Sequence, residues 1–230
     1  MPDKRNRKNF KIGSKVKTLR GLIVVVTAGP TREFFDPVRF LSNPSTGKMG
    51  YALAEAALKK GARVILISGP TNLDPPKKAV VIHVTSAQEM YQRVMQTTPK
   101  ANIVIMTAAV SDYRPEKKLS HKMKKTGKAM KLALVPNPDI LATLGRKKKK
   151  GQILVGFAAE TQNLVKNALS KLHKKNLDFI VANQVGQQTS GFATDQNKAV
   201  ILWSEGQKEF PRMTKKELAS KILEIIIKNH

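Results

Sequence analysis

The sequence contains no cysteine, which excludes disulfides, thiolate metal sites and a cysteine nucleophile. It has no apolar run approaching the roughly 18 residues of a membrane span, so no membrane partner is expected. Residues 1–20 (MPDKRNRKNFKIGSKVKTLR) are basic but lack the apolar stretch of a secretory signal. They read as a flexible tail on a cytoplasmic protein. Acids are scarce as well: 16 Asp and Glu stand against 42 Lys and Arg, a formal net charge of +26. Such an excess suits nucleic-acid binding, where cations release phosphate counterions. The charge is lumpy, however, lying in the tail, in 117–131 and in 146–150, and no run interleaves the aromatics on which bases stack. Solvated loop lysines are therefore preferred to a nucleic-acid partner, and lysines that hold an anionic nucleotide are compatible with either.

What is present is an alternation of strand and helix patterns along 21–230, the signature of one Rossmann-like α/β domain with a mostly parallel sheet flanked by helices. Residues 22–27 (LIVVVT) are a β-branched run and read as a buried central strand. A long loop follows, then a helix over 47–60 that ends at Gly61. Strands are expected at 64–67, 79–84, 102–107, 153–157 and 179–182. Ser86 with Glu89 opens a helix through about residue 96. Asn137 before Pro138 reads as the cap of a helix through 144, and 161–173 forms another. Strands at 199–203 and 208–210 flank Glu205 and Gly206 as a hairpin at the sheet edge. Thr214 with Glu217 caps the last helix, whose Leu218, Ile222 and Ile226 share a face.

Two stretches stand outside that alternation. Residues 113–131 carry Pro115, Gly127 and many lysines but no apolar face. They begin directly after a strand's C-terminal end, where open α/β sheets bind ligands, so a basic lid is expected there. The first loop ends in Ser42-Asn43-Pro44-Ser45-Thr46-Gly47-Lys48. Its hydroxyls and the free amides of the helix start suit an anion, although an ordinary cap uses the same residues. Neither G-x-G-x-x-G nor G-x-x-x-x-G-K-[ST] is present.

TAGPTREFFDPVRFLSNPSTGKMGYALAEAA resembles the opening motif of bacterial phosphopantothenoylcysteine synthetases. Further blocks match in that family's order: AAVSDYRP at 108–115, HKMKK at 121–125, NPDIL at 137–141, VGFAAET at 155–161, KLHKKNLDFIVAN at 171–183 and GFATDQN at 191–197. The resemblance covers about residues 20 to 228. It implies a CTP-dependent ligase of coenzyme A biosynthesis that joins 4'-phosphopantothenate to L-cysteine. The substrate carboxylate attacks the α-phosphate of CTP, giving an acyl-cytidylate and pyrophosphate; the cysteine amine then displaces CMP. Mg2+ is expected with the triphosphate. Relatives are usually fused to a flavin-dependent decarboxylase, so no flavin is expected in this chain and a separate decarboxylase is expected as partner. They form dimers, and the hairpin at 199–210 is a candidate for a homodimer arm.

Carried over residue by residue, the resemblance gives Asn43 a catalytic role at the acyl group, as an amide donor for an oxyanion, and Lys122 a catalytic role at the triphosphate. An ordinary loop cap and one more solvated lysine are the plain alternatives. Ser45, Gly47 and Lys48 fall in the phosphopantothenate-binding segment with Asn43. Met106, Thr107, Ala108 and Asp112 match nucleotide contacts, with backbone groups reading the cytosine edge and Asp112 suited to a ribose hydroxyl or a cation. Pro138, Asp139, Ile140 and Leu141 match a further CTP block. Phe157, Lys171 and Lys175 match three more CTP contacts, while Ala168 and Leu172 are assigned to packing. The metal ligands are left open. Pro30 and Pro136 depart from the glycine and lysine that relatives often carry there. A nicotinamide-dependent oxidoreductase on the same architecture is the alternative, disfavoured by the missing fingerprint and by the lack of a Tyr-x-x-x-Lys pair.

Overall fold

The computed structural model describes residues 18–125, 127, 129–160, 162–184 and 196–229. The tail through Lys17, Thr161 and most of the block at 191–197 lie outside the described residues. In chain order the elements are β1 (Ile23–Ala28), β2 (Arg32–Phe34), β3 (Phe40–Ser42), α1 (Lys48–Lys59), β4 (Arg63–Ser68), β5 (Val80–His83) and α2 (Ala87–Thr97). There follow β6 (Ile103–Met106), β7 (Tyr113–Pro115), β8 (Leu134–Pro136), α3 (Ile140–Lys147), β9 (Ile153–Glu160) and α4 (Leu164–Lys174). The last four are β10 (Phe179–Gln184), β11 (Gln196–Trp203), β12 (Gly206–Thr214) and α5 (Lys215–Lys228).

One sheet of eight strands runs β12-β11-β10-β9-β6-β1-β4-β5. The six strands from β10 to β5 are parallel, and β11 and β12 close that side as the antiparallel hairpin the sequence predicts. Alternation along β1 separates two cores: Val24 and Val26 pack with α1 and α5, whereas Val25 packs with α2, α3 and α4. Burial on both faces explains the unbroken β-branched run of β1. Ala168 and Leu172 are buried on α4, as expected of packing positions. Packing starts before the expected boundary at residue 21: Leu19 is fully buried and its N–H donates to the Lys60 carbonyl at 2.7 Å.

The sequence reading misses two small ribbons. β2 pairs with β3, and β7 with β8, outside the main sheet. At three residues each, these strands are too short to carry a hydrophobic period. A second correction concerns α3. Its N-cap is Asp139, whose carboxylate accepts from the Ala142 N–H at 2.9 Å. Asn137 is instead held by the β7–β8 ribbon: its N–H donates to Asp112 O and its Nδ2 to Ser111 O. Glu89 likewise reaches one residue further back than a capping box, to the Thr85 N–H.

The chain is tightest where the turn after β1 crosses the turn after β4. A Cβ built on Gly69 would lie 1.8 Å from the Pro30 carbonyl oxygen, a backbone atom that cannot swing aside. Gly69→Ala is expected to destabilise the fold by about 3 kcal/mol, read as a melting temperature lower by roughly 10 °C.

Candidate functional site

Strand order reverses between β1 and β6, because β4 and β5 lie on one side of β1 and β6, β9 and β10 on the other. Open α/β sheets leave a crevice at the carboxyl ends of such strands. Two adjoining cavities there share a wall. The larger, about 430 Å³, reaches from Asn43 and the start of α1 across the ends of β6 and β9 to Lys171, Asn183 and Lys215. The smaller, about 220 Å³, lies over the start of α3, between Met106, the 137–141 segment and Lys175. Ala108, Val110, Asp112 and Phe157 line both and form the wall between them.

The start of α1 suits an anion for a local reason. Gly47 is the N-cap with φ 79°, and no side chain caps the helix. No acid stands in the first turn, so the helix dipole is not already balanced. A Cβ at Gly47 would meet the Thr71 methyl at 2.6 Å, so the left-handed turn and the crowding both require glycine. Gly47, Lys48, Met49 and Gly50 line the larger cavity, as do Asn43 and Ser45. The phosphopantothenate group read from the sequence is therefore one contiguous surface.

At the wall, the backbone is more committed than expected. Thr27 Oγ1 accepts from both Thr107 N and Ala108 N at 3.1 Å, and donates to the sulfur of Met106. Ala109 N donates to Gly29 O. These N–H groups are thus already engaged within the fold. Asn43 Nδ2 donates to the carbonyls of Ala109 and Val110, each at 3.2 Å. Both its N–H bonds are used, so the group it can offer a ligand is the acceptor Oδ1 rather than an oxyanion donor.

Lys171 of α4 and Lys175 at its C-cap divide between the cavities. Lys171 lines the larger one and pairs with Glu160 at 2.5 Å; Lys175 lines the smaller one and pairs with Asp139 at 2.9 Å. Burial pushes the Glu160 carboxyl up, but the hydrogen bonds from Lys171 and Asn167 outweigh it and hold the group below the usual range. Asp139 is treated alike: burial raises it, and Lys175, the Ala142 N–H and the charge of Arg146 bring it down. The start of α3 therefore carries a carboxylate, that of its N-cap Asp139. Pro138, Ile140 and Leu141 complete that side.

Lys122 is exposed and lines neither cavity. Its neighbour Met123 is fastened to the turn between β2 and β3. Asp36, fully buried, accepts from Met123 N at 3.2 Å, and Arg39 Nη1 donates to Met123 O at 3.1 Å. In the basic run at 146–150, Lys148 pairs with Asp178 at 2.9 Å, and Lys149 Nζ donates to Pro99 O.

Residues 19–229 match the protein family described as the DNA/pantothenate metabolism flavoprotein C-terminal domain. The chain belongs to that family. It is 54% identical over 210 residues to the coenzyme A biosynthesis bifunctional protein CoaBC of Bacillus subtilis, covering 90% of this chain and 52% of the relative. The CoaBC protein of Haemophilus influenzae is 46% identical over 218 residues, 94% of this chain and 54% of the relative. This chain thus spans about half the length of the curated relatives it matches. Among solved structures it is similar to the C-terminal domain of a CoaBC protein, at 44% identity and TM-score 0.77 over 90% of this chain and 95% of the other.

Among the residues that line the larger cavity, Asn183, Asn197 and Lys215 were not singled out from the sequence. Asn183 lies at the end of β10, and Asn197 at a β-bulge between Asn197 and Ala199 in β11. Lys215 opens α5 and is only 7% exposed. Asn197 is buried, and among the described residues its Oδ1 has no hydrogen-bond partner. Bulges re-aim side chains next to sites, but no short-range pattern marks one in QNKAVILW.

Proposed function

We propose that this domain is a CTP-dependent phosphopantothenate–cysteine ligase. The observation that carries the reading is the shared wall: two cavities of different character meet at Ala108, Val110, Asp112 and Phe157, so that two substrates can react across it. The smaller cavity, with its neutralised Asp139–Lys175 pair, suits the nucleoside. The uncapped start of α1, with Lys48, suits phosphate groups. The α-phosphate then lies at the wall, where the phosphopantothenate carboxylate attacks it and pyrophosphate leaves. Cysteine's amine attacks the resulting acyl-cytidylate and CMP leaves. Asn43, anchored by two main-chain carbonyls, offers Oδ1 to the N–H of that amine.

Mg2+ keeps several waters and binds through one or two carboxylates plus substrate phosphates. Among the described residues no group of three or more metal-ligating side chains gathers. That fits an ion held chiefly by the triphosphate, with Asp112 on the wall as the protein carboxylate; it would supply charge neutralisation there. CMP formation that requires CTP, phosphopantothenate and cysteine together is the decisive assay, and CMP formation indifferent to cysteine would overturn the reading. Lys171→Met leaves Glu160 facing an anionic substrate and is expected to raise KM for CTP about tenfold, the scale of one charged hydrogen bond.

A homodimer is proposed through the small ribbons rather than the 199–210 hairpin. Val38, Phe40 and Leu41 on the first ribbon, and Tyr113, Leu119, Met130 and Leu134 on the second and on the flap that leaves β7 at Glu116, are exposed large apolar side chains. In β12, by contrast, Gln207, Lys208 and Glu209 face solvent. Sedimentation as a monomer at micromolar concentration would end this reading. Cytoplasmic location and a partner decarboxylase, fused or separate, belong to the same proposal. Among the described residues no helix is long and apolar enough to cross a membrane.

A further inference from the structure

We infer that Asp36 is a positioning residue, which through Oδ2 holds the flap backbone at Met123 and thereby sets where Lys122 can reach. The inference rests on the proposed role of Lys122 at the triphosphate. Asp36 divides its work between its two oxygens. Oδ1 accepts from Val38 N and Arg39 N, both at 2.8 Å, and so shapes the turn between β2 and β3. Oδ2 accepts from Arg39 Nη1 at 2.8 Å and from Met123 N at 3.2 Å. The same Arg39 nitrogen donates to Met123 O, so both main-chain polar groups of Met123 are gripped by one ion pair.

Other contacts dock the flap on that ribbon. Leu119 N donates to Phe35 O at 2.9 Å, and the Lys118 ammonium lies 5.7 Å from the Phe34 ring centroid. These hold residues 118 and 119; among the described residues, the Asp36–Arg39 pair is what grips the chain beside Lys122. A buried carboxylate costs free energy unless hydrogen bonds compensate it. Here they do: burial raises the Asp36 carboxyl, but the amides of Val38, Arg39 and Met123 and the Arg39 guanidinium bring it down to about 2. The group is therefore a permanent anion at any pH near neutrality, and the grip does not depend on titration.

The two-oxygen division supplies its own test. Asp36→Asn is isosteric and keeps an acceptor for Val38 and Arg39, but sets an NH2 group against the Arg39 and Met123 donors. The turn survives and the grip is lost. In the full chain, tryptic cleavage after Lys122 and Lys124 is expected to rise about tenfold, the factor that goes with losing a charge-assisted hydrogen bond. KM for CTP rises by a similar factor while KM for cysteine stays put, a split that a merely weakened fold would not give. Should Asp36→Asn fail to fold, Met123→Pro deletes the flap's own N–H and reads the same grip through cleavage after Lys124 alone, because trypsin does not cut the Lys122–Pro bond the variant creates. Unchanged cleavage in the variant overturns the grip, and faster cleavage with unchanged KM for CTP overturns the positioning role. Lys122→Gln, run alongside, separates the two readings: if it leaves pyrophosphate release intact, the role of Lys122 falls, and the positioning claim falls with it, whereas the cleavage result still reports the grip.

Discussion

Asn43→Asp is expected to release pyrophosphate from CTP but to form CMP about a hundredfold more slowly, the cost of a reacting group misplaced by about 1 Å. The substitution keeps the shape of the side chain and an acceptor. It removes both N–H donors, and sets a carboxylate oxygen against the carbonyls of Ala109 and Val110, which now receive Nδ2 at 3.2 Å. Like partial charges repel, so the side chain turns away from the wall that carries the acyl group. The acyl-cytidylate then accumulates, and its detection by mass spectrometry after a single turnover checks the result. An Asn43→Asp variant that forms CMP at the wild-type rate would remove Asn43 from the second step.

Lys122→Gln is expected to act one step earlier, lowering pyrophosphate release by about a hundredfold, the scale of losing one preorganised charged donor at a developing charge. Glutamine keeps most of the length and a donor but not the charge, so the loss isolates the cation. Lys122 is exposed and outside both cavities in the ligand-free chain. Its effect therefore requires the flap of this chain or of a second copy to close over the nucleotide. Pyrophosphate release and CMP formation should fall in parallel in this variant, unlike the split expected for Asn43→Asp.

The two substitutions also mark what local sequence conveys. The uncapped start of α1 was legible in Ser45 to Lys48, because a helix terminus is a short-range property: glycine at the cap, no acid in the first turn. The cap of α3 was misread for the same kind of reason. Asn137 and Asp139 are both good caps, and the choice between them is made by β7 and Ser111, which claim Asn137 from 26 residues away in sequence. Lys171 lies on α4 and Lys175 at its C-cap, and their division between two cavities depends on Glu160 and Asp139, which arrive on other elements.

By itself the sequence determined the parallel sheet, its edge hairpin, most helix ends and the segments that gather at the carboxyl ends of the strands. Burial periodicity and capping are written in neighbouring residues, so they are readable without knowing the fold. Only the tertiary structure decided that Asn43 spends its donors on Ala109 and Val110, that Thr27 takes the amides after β6, and that Asp36 is buried against Met123. Each of those is a hydrogen bond between residues about 66 to 87 positions apart. Their partners are chosen when the first crossover packs on the end of β6 and on the flap, and no pattern along the chain records that choice.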